Sequence, residues 1–523
     1  MSDKKSRLIY FFLIGVFTFA LVARIIPGPR TIDDSFITFR YSRNILAGNG
    51  FVYNQGEHIL GTTTPLYTLL LSFIAFFTGN INAPFPWIAL VINAFADAAT
   101  CILLFQICKR YRFPFAGISL SMVWAIAPYS VTFAIGGLET SIYVLLLVSV
   151  LYCVIHNQFF LAALFAALSL LTRPDALIFI GLLFISRLYS FLSTSPKNYS
   201  SLLKEFGIFL ISVLPWVIFS SYYFGSPIPH SILAKSVTYL LPANAALIRL
   251  LQHYATPFFE NLTFGTWGIG LGFVLYPFLS LVGVLHFWKN DRRISYLMIY
   301  PFLYFGAFAI ANPLIFRWYL TPPLPFYFML ILIGAEKLFR SIFEKIEHML
   351  SDRKPVTMFN SILIPVLMIF PPFFLSCRNW VLTPDHGTNS PAPGMAYIEL
   401  ELLYKKAADR IIPEIQTTPN ATLAAGDVGV LGFFTGLRIL DTVGLNSSQA
   451  LNYYPLDRQY YVINYAIPPD LIMDYKPDYV VILEVYGRLG LLKDDRFQKQ
   501  YKLLEKIPTD MYGSDGMLIF AKK

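Results

Sequence analysis

Apolar runs of about 20 residues recur from the start of the chain to about residue 376, each long enough to cross a hydrocarbon core of about 30 Å as a helix. No other feature limits the fold as strongly. With 56% hydrophobic and only 14% charged residues, the chain does not belong among ordinary water-soluble proteins. Beyond residue 376 the character changes: residues 377–523 hold 15 of the 40 Lys and Arg and 17 of the 31 Asp and Glu. The pattern therefore predicts a polytopic α-helical membrane module over 1–376, with about eleven spans, and a soluble domain over 377–523. Basic residues next to apolar spans account for the net charge of +9, so it reads as charged cytoplasmic loops and implies no nucleic-acid partner. Cys101, Cys108 and Cys153 fall inside apolar runs and only Cys377 outside, which leaves no disulfide framework and no zinc site. The opening MSDKKSR and the long run after it read as an anchoring first span rather than a cleaved leader.

Lys and Arg gather on the cytoplasmic side, so threading can be tested by asking which alternation collects them. Spans near 8–26, 85–108, 114–130, 141–155, 158–171, 176–190, 206–224, 265–288, 295–311, 319–338 and 356–376 put 17 basic residues inside and 8 in the outer loops. The N-terminus is then cytoplasmic and the tail domain extracytoplasmic, as expected for a multi-pass membrane protein. Segment 65–79 is apolar but short, and crossing there would turn every later basic cluster outward. It is assigned to the outer interface, inside a first outer loop of 27–84.

Under this threading the polar motifs fall on one side: the Arg30 to Thr64 loop, Gly136-Gly137-Leu138-Glu139-Thr140, Thr172-Arg173-Pro174-Asp175, Pro229-His230-Ser231 with Lys235, and Phe316-Arg317-Trp318-Tyr319. Cations on the translocated side run against the charge rule and need compensation. A lipid phosphate would supply it; snorkelling to headgroups or pairing with Asp175 or Glu260 is the plainer reading.

The sharpest motif is Asp33-Asp34 just beyond the first span, opening a helix expected to end at Gly48-Asn49-Gly50. Neighbouring side chains diverge on a helix, so the two carboxylates should not do the same job. One can face a reaction while the other caps the helix or binds a cation, and Asp33 and Arg40, seven apart, can share a face. The plain alternative is an N-cap followed by a solvated Asp. A shielded carboxylate can take the proton from an attacking hydroxyl while nearby cations stabilise a departing phosphate. That chemistry is glycosyl transfer from a phosphate-linked donor, and outside the cytoplasm the donor would carry a lipid anchor. Oxygens of Asp33, Asp34 or Glu139 could hold magnesium or manganese, although no residue cluster demands a metal.

Asn93 and Asp97, one turn apart in the second span, read as a buried polar pair between helices with no link to the outer loops. In the tail, strands are expected at 422–425, 439–441, 479–483 and 517–521 and a helix at 397–410, giving an α/β domain. Gly426-Asp427-Val428-Gly429 reads first as a turn and second as an acceptor contact, as does Asp441.

The ordered set DDSFITFRYSRNILAGNGFVYNQGEHILGTTTPLYTLLL, GGLETSIYVLLL, LLTRPDALIF, PIPHSILAKS, FRWYLTP and AAGDVGVLGFFTGLRILDTVGL resembles the GT-C glycosyltransferases, with the bacterial terminal arabinofuranosyltransferase branch as the nearest likeness. The resemblance runs over almost the whole chain. It implies an integral membrane enzyme that moves a sugar from a polyprenyl phosphate to an extracytoplasmic glycan or glycolipid acceptor, with inversion. Asp33 or Asp34 would be the catalytic acid of the first outer loop and Glu139 the second-loop acid. Lys235 and Arg317 match positions expected near the donor phosphate. From the residues themselves, Arg40, Arg173 and His230 join them as donor-binding candidates, and Glu139, Asp427 and Asp441 are the acceptor-binding candidates. Thr62, Thr63 and Thr64 stand where relatives often carry an aromatic or serine, so the sugar is not inherited. The rival class is a transporter or flippase of a lipid-linked glycan, but ionisable groups gather on one face and no internal repeat is visible. A sensor whose tail binds a ligand leaves the Asp33-Asp34 loop unexplained. Within the enzyme class, a protein or lipid A glycosyltransferase is the runner-up.

Overall fold

The computed structural model describes residues 2–193, 195–349, 362–382, 389–415 and 420–523. The start of the expected span at 356–376, and the end of the basic loop before it, lie outside the described residues. Among the described residues, seven helices are long and apolar enough to cross a membrane: Arg7–Ile25, Phe85–Arg110, Pro114–Ile135, Ala176–Ser193, Tyr199–Phe224, Glu260–Asn290 and Arg292–Ala311. Four shorter apolar helices accompany them, Pro65–Thr78, Thr140–Ile155, Phe159–Thr172 and Ile364–Arg378. The Pro114–Ile135 span bends at Ala127, whose extended backbone precedes Pro128, because a residue before proline is pushed out of the helical region.

Pro65–Thr78 has 14 residues and so a length of about 21 Å, short of a hydrocarbon core. It is two-faced: Tyr67, Leu71 and Ala75 are buried, whereas Leu69, Phe73, Phe76 and Phe77 are exposed. Its buried face lies on the helix before it, where Ser42 Oγ donates to the Thr68 carbonyl at 2.9 Å.

Inside the bundle, Arg24 is fully buried and pairs with Asp97 at 2.9 Å. Trp124 Nε1 and Ser141 Oγ also donate to Asp97, at 3.2 and 2.8 Å, and Arg24 donates to the Ala125 carbonyl and Ser130 Oγ, each at 2.6 Å. Arg24, one of the eight basic residues that the threading counts to the outer loops, is thus a core residue. Asn93 Nδ2 donates to the carbonyls of Ala134 and Leu138 at 3.1 and 2.8 Å. This corrects the expectation of no link outward, since Leu138 belongs to the Gly136–Thr140 turn.

The tail is an α/β domain with a five-stranded sheet in the order Arg438–Asp441, Thr422–Ala425, Tyr479–Leu483, Met517–Lys522, Tyr501–Ile507. The first three strands are parallel and the last two pair antiparallel. Near-continuous apolar sequence and full burial suit Tyr479–Leu483 to the middle of the sheet. Tyr501–Ile507 was not expected: Lys502, Glu505 and Lys506 give it the charged face of an edge strand rather than a core signal.

Candidate active site

The loop helix, Asp33–Leu46, starts from an extended Ile32 and ends where Gly48 takes φ +79°. Two acids in its first turn and Arg43 in its last complement its dipole. Asp33 caps a different helix. The N–H groups of Gly429 and Val430, opening the short tail helix Gly429–Thr435, donate to Asp33 Oδ2 and Oδ1 at 2.9 and 2.8 Å. At the other end of that tail helix, Arg40 donates to the carbonyls of Gly432 and Leu437 at 2.6 and 2.7 Å, and Arg43 to that of Phe433 at 2.7 Å. Tyr53 Oη donates to the Val428 carbonyl at 2.7 Å. The orphan donors of the tail helix meet a carboxyl group and its orphan carbonyls meet cations, all supplied by the outer loop.

Contact there is close enough to demand glycine. A Cβ on Gly429 would lie 1.8 Å from the Asp33 carbonyl oxygen, so Gly429→Ala must push the tail helix off the loop helix. We expect a loss of about 1–3 kcal/mol and faster proteolysis of the tail; an unchanged thermal midpoint and cleavage rate would show that the two helices separate at no cost.

Asp34 points elsewhere. Its side chain is 34% exposed, and Oδ2 lies 3.9 Å from Lys235 Nζ, which is carried on the helix His230–Thr238. The Lys235 ammonium sits 4.7 Å over the Phe316 ring. Burial would lower its affinity for a proton, but Tyr319 and Asp34 outweigh that and raise its pKa. Arg173 lies 5.0 Å over the ring of the same Tyr319 and is held by Glu139 at 3.1 Å and Asp175 at 2.9 Å. Arg317 donates to the Met395 carbonyl at 2.6 Å and stands 4.6 Å over Tyr397. Phe316 to Tyr319 is therefore a strip that carries Arg317 and meets Lys235 and Arg173 over its rings.

The tail adds carboxyls to this junction. Glu401 Oε1 accepts the Asp33 N–H at 3.2 Å, and Tyr404 Oη donates to Asp427 Oδ2 at 2.6 Å. Burial, then Asp427, keeps the Asp33 carboxyl well above the usual range against the pull of the two backbone donors. Burial lifts Asp427 to about 6 and Glu401 to about 7. Each of these acids holds its proton more tightly folded than unfolded, so the stability they contribute is full below about pH 4 and is lost as pH rises through the folded values. The thermal midpoint should therefore be higher at pH 5 than at pH 8, and Glu401→Gln should flatten the difference. Glu484 and Asp494, which their arginine partners hold low, titrate below this window. Burial holds His253 neutral and pushes its pKa down to about 3, which works in the opposite sense over the same interval, so the assignment is read from the difference between wild type and Glu401→Gln; an identical pH response in the two would contradict it.

The remaining candidates separate. Arg40, expected beside a phosphate, is buried and spent on tail carbonyls and on Tyr53 and Asn54. Asp441, expected at the acceptor, is fully buried and accepts the N–H groups of Val443, Gly444 and Asn446 in its own turn. Glu139 is occupied with Arg173. The His230 ring borders a separate cleft of about 370 Å³ with His58, Phe224, Ile228 and Leu233. Asp33, Asp34 and Glu139 do not fit a shared metal: Asp33 is taken by backbone and Glu139 by arginine. Among the described residues no three His, Cys, Asp or Glu side chains converge for one.

The whole architecture aligns with solved membrane proteins. The archaeal oligosaccharyltransferase AglB from Archaeoglobus fulgidus, solved with an inhibitory peptide and a dolichol-phosphate, matches 99% of this chain and 74% of its own, with TM-score 0.56 and 13% identity. ArnT from Cupriavidus metallidurans, solved with undecaprenyl phosphate, matches 99% of this chain and 98% of its own, with TM-score 0.56 and 11% identity. This chain has the GT-C fold.

By sequence, the GT-C chain is similar to terminal β-(1→2)-arabinofuranosyltransferases, 30% identical over 224 residues to that of Mycobacterium tuberculosis and 25% over 300 residues to that of Corynebacterium glutamicum. These alignments take in 39% and 50% of this chain, which spans 34% and 39% of the length of those relatives. A domain of unknown function, DUF8728, matches residues 401–520. The helices and these likenesses make it a multi-pass membrane protein. Sequence reasoning missed Glu401, Tyr404 and the tail helix as parts of this site. One signal was available: the tail helix opens at Gly429 after Val428, with no side-chain cap of its own, so its N–H groups needed a partner from elsewhere.

Proposed function

We propose that this GT-C protein is a membrane glycosyltransferase. It moves a sugar, arabinofuranose or another pentose or hexose, from a polyprenyl-phosphate donor to a glycan or glycolipid acceptor outside the cytoplasm, with inversion. The reading is carried by one observation: of two adjacent carboxylates, Asp33 is consumed by the tail helix while Asp34 stays open and faces Lys235 at 3.9 Å. Asp34 takes the proton from the acceptor hydroxyl as its oxygen bonds to the anomeric carbon; the bond from that carbon to the phosphate oxygen breaks, and polyprenyl phosphate leaves. Lys235, Arg173 and Arg317 stabilise the charge that grows on the departing phosphate. Glu139 and Asp175 orient Arg173, and Asp427 meets the acceptor. The arabinofuranosyl reading takes its support from the names of the sequence relatives, and the lipid donor from the dolichol- and undecaprenyl-phosphate of the solved neighbours. The gathering of basic loops away from this face supports a site outside the cytoplasm, in a bacterial inner membrane.

The test uses purified protein in detergent or vesicles, a set of synthetic polyprenyl-phosphate sugars and a set of glycan acceptors. Acceptor-dependent release of polyprenyl phosphate is the expected result. Donor binding with no release in any pairing, or donor crossing the bilayer intact, would sink transfer and leave a transporter.

A further inference from the structure

The chain leaves the neighbouring parallel strands Thr422–Ala425 and Tyr479–Leu483 in opposite directions. From the first it goes to Arg438–Asp441 on one flank, and from the second to the antiparallel pair on the other. In α/β sheets such divergence leaves a place for ligands, a crevice at the carboxyl ends of the strands. Asp427 follows the first strand and Tyr486 the second. Tyr404 fixes one Asp427 oxygen at 2.6 Å, and the other has no hydrogen bond among the described residues.

Tyr465 closes the crevice. Its ring lies 5.0 Å from Tyr486, a Cβ on Gly426 would meet it at 2.9 Å, and its hydroxyl is paired with Thr442 at 2.6 Å. From there the aromatic wall continues to Tyr239 at 6.1 Å and on to Phe316 at 6.2 Å, the ring beneath the Lys235 ammonium. A chain of ring contacts thus runs from the tail crevice to the Asp34–Lys235 pair, with Tyr465 buried in its middle and Tyr486, Tyr239 and Phe316 partly open. Flat rings with few polar groups suit a sugar, whose faces are apolar and whose rim is hydroxyl.

Resting on the transfer reaction proposed above, we infer that this crevice is the acceptor subsite, where the terminal sugar of an uncharged glycan lies against Tyr486 and Tyr239 and offers its hydroxyls to Asp427. Acidic sugars are rejected, because Asp427 and Asp34 would stand against a second negative charge with little water to screen it. The donor's own sugar has the same chemistry and could use the same wall; the cations that would hold its phosphate are Arg173, Lys235 and Arg317 on the membrane side, which assigns the tail crevice to the acceptor.

The experiment measures donor and acceptor KM separately for wild type, Tyr486→Ala, Tyr486→Phe, Tyr239→Ala and Asp427→Asn. In parallel, binding of neutral arabinan, galactan and mannan oligosaccharides is followed by saturation-transfer NMR on the full-length protein. Loss of one ring face should raise acceptor KM about tenfold with donor KM unchanged, and Tyr486→Phe should restore most of it, which a merely structural tyrosine would not explain. A rise confined to donor KM assigns the wall to the donor sugar and overturns the inference. So does oligosaccharide binding that is absent from wild type or equal in all variants. If wild type transfers nothing yet binds a neutral glycan that Tyr486→Ala and Tyr239→Ala lose, the crevice stands and the transferase reading fails.

Discussion

Asp34→Asn lowers acceptor-dependent release of polyprenyl phosphate by about 10²–10⁴-fold, the usual range for loss of a positioned general base, while the thermal midpoint stays near wild type. The substitution preserves shape, and Asp34 has no backbone donor to lose, only a half-open approach to Lys235. Asp33→Asn has a different signature. An amide in place of the carboxylate keeps one acceptor for the Gly429 and Val430 N–H groups and turns an NH₂ against the other. Its main effect is a lower midpoint and a looser tail, with any fall in turnover following from that. Measuring turnover and melting for both variants separates the roles. A folded, fully active Asp34→Asn protein would remove Asp34 as the base.

The largest effect on stability is expected from Asp97→Leu. It leaves the Arg24 guanidinium, which is fully buried, without its anion and strips Trp124 Nε1 and Ser141 Oγ of their acceptor. Removing one partner of a buried pair costs about 3–5 kcal/mol, whereas replacing both with apolar groups can be neutral or better. The single variant should therefore melt much lower in detergent or fail to accumulate, and Arg24→Met combined with Asp97→Leu should recover most of the loss. Equal damage from the single and double variants would mean that packing, and not charge, is what the pair contributes.

The readable parts of the fold were those written in local periodicity. Apolar length marked the helices of the bundle, short apolar runs marked Thr422–Ala425 and Tyr479–Leu483, and glycines marked the end of the loop helix at Gly48. The divergence of Asp33 and Asp34 also followed from helix geometry. What the sequence left hidden is which distant group each side chain meets. Asp33 finds its donors 396 and 397 residues along, and Arg40 its carbonyls 392 and 397 residues along. No spacing rule reaches so far, and an arginine spent on carbonyls looks the same in sequence as one waiting for a phosphate. Charge counting failed at Arg24 for a related reason: its partner Asp97 lies in another helix.

The clasp between the outer loop and the tail also fixes an order of assembly. Asp33, Arg40 and Arg43 are made early, but the groups they bind belong to residues 429–437. Since chains emerge from the ribosome N-terminus first, these charges wait, solvated, through synthesis of the whole bundle. Their helix gains its bonded setting only when residues 429–437 arrive, so in a nascent or truncated protein already in the membrane the outer loop and the tail helix are not yet joined.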